Sequence, residues 1–150
     1  MLPLAALALL VAASACASGP RRVELLAEGG AGLNPTFDGK PSAVNVRLFA
    51  LLDRAAFDNA SEQDLEQSPP QLTPTAWKPP HQEAVVYVGQ KSWIELELAP
   101  EVRFVGVFGL FNEFTGDHKL VVPVEQAADE KLVLDGSAIK LAPRGEGDRR

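Results

Sequence analysis

Residues 93–111 read WIELELAPEVRFVGVFGLF, and they contain two different kinds of β-strand. In the first half Ile94, Leu96 and Leu98 alternate with Glu95 and Glu97, the period of two that puts apolar groups on one sheet face and carboxylates on the other. Pro100 ends that run. In residues 102–111 the only charged side chain is Arg103, and a continuous apolar run of this length belongs to a strand covered on both faces. This strand is expected at the centre of a sheet. Gly106 and Gly109 within it mark a bulge or a close approach of another group to the backbone.

Working outward, the rest of the chain is also β in character. Val85-Val86-Tyr87-Val88 is β-branched and aromatic and is closed by Gly89-Gln90. Downstream, Thr115-Gly116-Asp117 turns the chain into a strand over residues 120–124, and residues 132–134 face 139–141 across Asp135-Gly136, a strong hairpin signal. Upstream, Val44, Val46 and Leu48 alternate with Asn45, Arg47 and Phe49, and a first, half-exposed strand carries Val23 and Leu25. Residues 28–42, EGGAGLNPTFDGKPS, hold four glycines and two prolines and form a long exposed loop. Helix is expected only over residues 53–67, as two short helices or one broken one, with Asp53 and the Ser61/Asp64 pair as caps. Residues 68–80, with five prolines, are expected to be extended and irregular, a strap that packs Trp77 on the sheet or else a polyproline ligand. About eight short strands with one helical excursion between the second and third define an all-β, antiparallel sandwich over residues 22–143. Residues 144–150 form a charged tail that is expected to fray.

Composition removes several kinds of chemistry. A formal charge of −6 has the wrong sign for a nucleic-acid partner. One cysteine and two histidines exclude disulfide scaffolds, cysteine-rich zinc sites and iron–sulfur clusters. His81 and His118 have no second ligand at metal spacing and read as surface residues, and adjacent Asp117, His118 and Lys119 cannot form a relay on a strand. Asp58, Glu62, Asp64 and Glu66 read as a solvated acidic face. Gly29-Gly30-Ala31-Gly32 lacks the helix and lysine of a phosphate loop. No catalytic residue, metal, cofactor or small-molecule substrate is expected.

The chain opens with MLPLAALALLVAASAC, an apolar run too short to span a bilayer and ending in small residues, so residues 1–15 read as a signal peptide. Ala13-Ser14-Ala15-Cys16 resembles the bacterial lipobox, with Ala13 where leucine is commonest. That resemblance makes Cys16 the lipidated N-terminus of the mature chain and residues 16–21 its tether. Several acyl chains would make attachment effectively permanent. The competing reading is a plain cleaved signal with an incidental cysteine. Neither Ala17 nor Ser18 is the aspartate that retains such lipoproteins in the inner membrane, so the resemblance implies the outer membrane.

Leu33-Asn34-Pro35, Asp38-Gly39-Lys40-Pro41-Ser42, the strand Val44-Asn45-Val46-Arg47-Leu48 and Ala55-Ala56-Phe57 follow one another in an order that resembles the TssJ family, lipoproteins of type VI secretion systems. Val105-Gly106-Val107-Phe108-Gly109-Leu110-Phe111 and Leu132-Val133-Leu134-Asp135-Gly136 resemble that family's central strand and closing hairpin. The resemblance implies a transthyretin-like β-sandwich, lipid-anchored at the outer membrane and facing the periplasm. It further implies docking to the inner-membrane protein TssM, and through TssM to TssL. Partner contacts are implied on the loop between the first two strands, at Leu33, Asn34, Pro35, Phe37 and Asp38. Leu33 and Phe37, carried into solvent on a Gly/Pro loop, are the apolar anchors expected there. The alternatives are that both fold back as a lid on the sandwich, or that the protein is a periplasmic carrier for a small apolar ligand. A carrier needs a cavity of roughly 300 Å³ or more, against which the bulky run 102–111 argues for a filled interior.

Overall fold

The computed structural model describes residues 19–149, so the expected signal peptide over residues 1–15 and Cys16 lie outside the described residues. Eight strands form two four-stranded sheets. They are β1 (Arg21–Gly29), β2 (Val44–Leu51), β3 (Trp77–Val86), β4 (Lys91–Leu98), β5 (Phe104–Leu110), β6 (Lys119–Pro123), β7 (Glu130–Asp135) and β8 (Ala138–Pro143). One sheet has the order β4-β1-β7-β8 and the other β3-β2-β5-β6. Pairing is antiparallel throughout except between β1 and β7, which run parallel because the chain crosses to the second sheet before returning.

The inner faces meet in one core. Leu25 and Ala27 of β1, Ile94, Leu96 and Leu98 of β4, and Leu132 and Leu134 of β7 face Val44, Val46 and Leu48 of β2 and Val105 and Val107 of β5. The alternation read in residues 93–98 is thus realised, with Glu95 and Glu97 outside. Strand β1 is more buried than half-exposed alternation implies, since Leu26 on its outer face is covered as well.

Strand β5 lies in the interior of its sheet, apolar on both sides as its sequence requires. Its outer side is covered by two short helices, α1 (Ala55–Asn59) and α2 (Glu62–Glu66), which bring Phe57 and Leu65 against Phe49, Leu51, Trp77, Phe108 and Val121. Helices of five residues do not persist alone in water. Burial of Phe57 and Leu65 contributes about 1.5–3 kcal/mol each. Ser61 and Asp64 close a capping box at the start of α2. At the other ends, sheet cations take up the unpaired carbonyls. Arg47 donates to Leu65, Glu66 and Gln67 at 2.7–2.9 Å, and Lys119 donates to Phe57 at 3.0 Å and Asp58 at 2.8 Å. Burial pushes the Lys119 ammonium below its ordinary pKa, against the pull of Asp58 and Glu62.

Three expectations are corrected. The proline strap is not wholly irregular: β3 begins at Trp77 and includes Pro79 and Pro80. It is an edge strand, where a missing N–H can face away from the ladder. His118 is buried, its Nε2 against Glu62 Oε1 and its ring 4.8 Å from Phe114, so it pins α2 to the end of the β5–β6 loop. The tail does not fray over its described length. The Arg144 guanidinium lies 5.0 Å from the Trp93 ring centre, and buried Asp148 pairs with Lys91 and with Lys131, the latter at 3.0 Å. Hydrogen bonds from Lys91, the Gly145 amide and Lys131 hold the Asp148 carboxyl well below the usual carboxylate range.

Gly106 is where the helical layer touches the sheet: a Cβ there would sit 2.8 Å from the Phe57 ring. Gly106→Ala is expected to destabilise the domain by about 1–3 kcal/mol through overpacking. Phe57→Leu in the same chain should recover part of that loss. Urea midpoints of the three proteins check both expectations.

Candidate functional site

Four connections gather at one end of the sandwich: residues 30–43, 87–90, 111–118 and 136–137. Backbone hydrogen bonds tie them together, with Gly29 N–H to Gln90 O at 2.9 Å and Asn34 N–H to Gly136 O at 2.7 Å. Gly30 fits under Asp135, since a Cβ would lie 2.4 Å from its Oδ1. That carboxylate also accepts from Gly32 N–H at 3.0 Å.

Asn34 organises the β1–β2 loop. Its φ of 45° is a left-handed conformation that asparagine tolerates better than most residues. Buried to 4% exposure, its side chain donates to Ala43 O at 2.7 Å and Ser42 Oγ at 3.1 Å and accepts from Asn112 N–H at 2.7 Å. Ser42 Oγ–H returns a bond to Asn34 O at 2.6 Å. Asn112 Nδ2 donates to Asn34 O and Pro35 O, each at 3.3 Å, so the β5–β6 loop is joined to the β1–β2 loop.

Beyond this hub the chain makes a tight turn. Gly39 N–H reaches Thr36 O at 2.8 Å and Thr36 N–H reaches Lys40 O at 2.8 Å, with Gly39 at φ 73°. Phe37 and Asp38 occupy the turn's tip. Phe37 is 103% exposed, more than any other large hydrophobic described.

The five expected contact residues therefore separate. Phe37 and Asp38 stand in solvent, and Pro35 is half-buried beside them. Leu33 is not a solvent anchor: it is fully buried and joins the core between the sheets, closing the loop end of the sandwich. Asn34 is likewise buried, with its amide engaged in the hydrogen bonds that hold the loop. The lid reading thus holds for Leu33 and the exposed reading for Phe37. Sequence reasoning missed Asn112, whose role depends on a partner 78 positions away. It also missed Phe114, which stacks on Phe108 at 6.3 Å and seats the β5–β6 loop.

No group of three or more His, Cys, Asp or Glu able to hold a metal occurs among the described residues. Of the acidic residues of the helical excursion, Asp58 is engaged within its helix by Arg54 at 2.7 Å, Asp64 by Ser61, and Glu62 by the distant His118. His81 lies 3.2 Å from Glu83, whose carboxyl is held below its ordinary range by His81 and then by Arg47. The space between the sheets is occupied by branched aliphatic side chains.

Fold and loop pole together define a two-sheet β-sandwich with rigid, solvent-facing loops at one end. Residues 21–138 match the family described as T6SS-SciN: Type VI secretion lipoprotein, VasD, EvfM, TssJ, VC_A0113, and the chain belongs to that family. Among curated proteins, none matches. Solved structures that share the fold include the following three. The T6SS lipoprotein TssJ1 from Pseudomonas aeruginosa is 21% identical, with a TM-score of 0.70 over 84% of this chain and 98% of that one. Serratia marcescens Lip, a membrane bound component of the Type VI Secretion System, is 15% identical, with a TM-score of 0.73 over 85% and 99%. A chain from the structure of the TssM C-terminal domain from EAEC is 20% identical, with a TM-score of 0.67 over 82% and 98%.

The different placements of Leu33 and Phe37 lead to different expected stabilities. Leu33→Ala should cost about 2–5 kcal/mol by leaving a cavity. Phe37→Ala, at a fully exposed tip, should change stability by less than about 0.5 kcal/mol. Guanidinium unfolding of the two variants provides the measurement.

Proposed function

We propose that this type VI secretion lipoprotein is held at the outer membrane by acyl groups on Cys16, faces the periplasm, and docks TssM through its β1–β2 loop, reaching TssL through TssM. The single observation that carries the docking part is Phe37. A whole aromatic ring kept in water on a hydrogen-bonded turn has no use within the domain and suits an anchor for a partner's pocket. Family membership and the likeness to a chain from the TssM C-terminal domain structure support the same reading. Asp38 shares the tip and Pro35 forms its base, while Leu33 and Asn34 hold the loop in place.

Pre-organisation is what this arrangement contributes. A loop that is already ordered loses little conformational freedom on binding, so more of the contact energy appears as affinity. No bond is made or broken in this role, and it asks for no catalytic group.

Phe37→Asp in the full-length lipoprotein is expected to weaken binding to the TssM C-terminal domain by at least about thirtyfold, as loss of a central aromatic anchor does. Its melting curve should stay in place. Affinity equal to wild type would overturn the docking role. Cys16→Ser should yield a folded protein that takes up no labelled palmitate and leaves the membrane fraction, and palmitate incorporation unchanged by the substitution would exclude Cys16 as the anchor.

A further inference from the structure

Beside Phe37 a notch opens between the two loops that Asn34 and Asn112 join. Its walls are Pro35, Thr36 and Phe37 on one side and Asn112 and Glu113 on the other. Both walls are fixed from behind, one by the Asn34 hydrogen bonds and the Thr36–Gly39 turn, the other by Asn112 and by Phe114 on Phe108. The notch offers the exposed face of an aromatic ring and a carboxylate. Among the described residues Glu113 is in no ion pair, nor is Asp38 at the tip of the turn. No basic side chain lines the notch.

We propose that the notch receives a basic side chain of the docked protein, an arginine in preference to a lysine, lying against the Phe37 ring with its charge on Glu113. This inference rests on the docking role argued above and extends it from one loop to two. A guanidinium is flat, weakly hydrated and forked, so it can stack on a ring and donate to a carboxylate together. An ammonium does the first less well and cannot bind the carboxylate in two-pronged fashion. Complementarity of charge favours the same occupant. Glu113 lines the notch with the ring, and the whole chain carries a formal charge of −6, so an incoming basic group meets attraction at short and long range. An aliphatic occupant would instead strip water from Glu113 and leave it unpaired.

The test is a titration of full-length lipoprotein against the TssM C-terminal domain at low and high salt, with wild type, Glu113→Gln, Glu113→Lys, Glu113→Ala and Phe37→Ala. Glu113 is exposed, so its variants should fold as wild type does. Glu113→Gln should weaken binding about fivefold at low salt and Glu113→Lys more strongly. At high salt wild type and Glu113→Gln should converge, because the rim charge is screened. Phe37→Ala should lose affinity at both salt concentrations. If Phe37→Ala weakens binding while every Glu113 variant equals wild type, the partner uses the β1–β2 loop alone and the notch proposal fails with docking intact. Tighter binding of Glu113→Ala would show an apolar occupant and also overturn it. If the Phe37 variant binds normally, docking through this loop fails, and the notch proposal with it.

Discussion

The Phe57 ring resting on Gly106 is the contact on which the two-layered character of the second sheet depends. A strand apolar on both faces, as β5 is, needs two covers, and one of them is the opposite sheet. The other is a pair of helices too short to hold themselves together. They persist because their apolar side chains, the carbonyls at their C-terminal ends and Glu62 are all taken up by the sheet, through Phe49, Arg47, Lys119 and His118. The excursion between β2 and β3 is therefore a second core layer, folded only where the sheet lies beneath it.

The loop pole uses the opposite strategy. Few apolar groups are buried there, and order comes from polar groups with closely set partners. Asn34 satisfies both ends of its amide and tolerates a left-handed backbone, so one residue closes the β1–β2 loop on its own far end at Ala43 and ties it to the β7–β8 hairpin and to the β5–β6 loop. Leu33 adds the only large apolar plug of the loop, and what lies beyond it is left free to meet something else.

Much of this was legible in the sequence because strand periodicity is a local signal. The alternation in residues 93–98, the apolar run of β5, the capping pair at Ser61 and Asp64 and the hairpin at Gly136 each depend on residues a few positions apart. What was not legible depends on distant partners. Leu33 and Phe37 look alike in a Gly/Pro loop, and only the position of the core behind Leu33 separates them. His118 reads as a turn residue until α2 brings Glu62 to it. The strand at Pro79 and Pro80 exists because β3 is at an edge, a fact of sheet order that no local pattern carries. Asp148 looks like part of a solvated tail, whereas the lysines that bury it come from β4 and β7.

Strand β1 starts at the pole opposite the loops and runs the length of the domain to Gly29, directly before the loop that carries Phe37. It lies between β4 and β7, paired with β4 over Arg21–Glu28 and with β7 over Leu26–Gly29. A pull on the N-terminus resisted at the β1–β2 loop would therefore travel along β1 itself. Because such a load would enter and leave through the same strand, the covalent backbone of β1 would carry it, and the ladders to β4 and β7 would hold that strand in place without being sheared. With nine residues at about 3.3 Å each, the strand spans about 30 Å between the two proposed points of attachment. In the proposed arrangement the line from tether to tip would therefore coincide with the backbone of a single strand, and the rest of the sandwich would stand outside the path of the load.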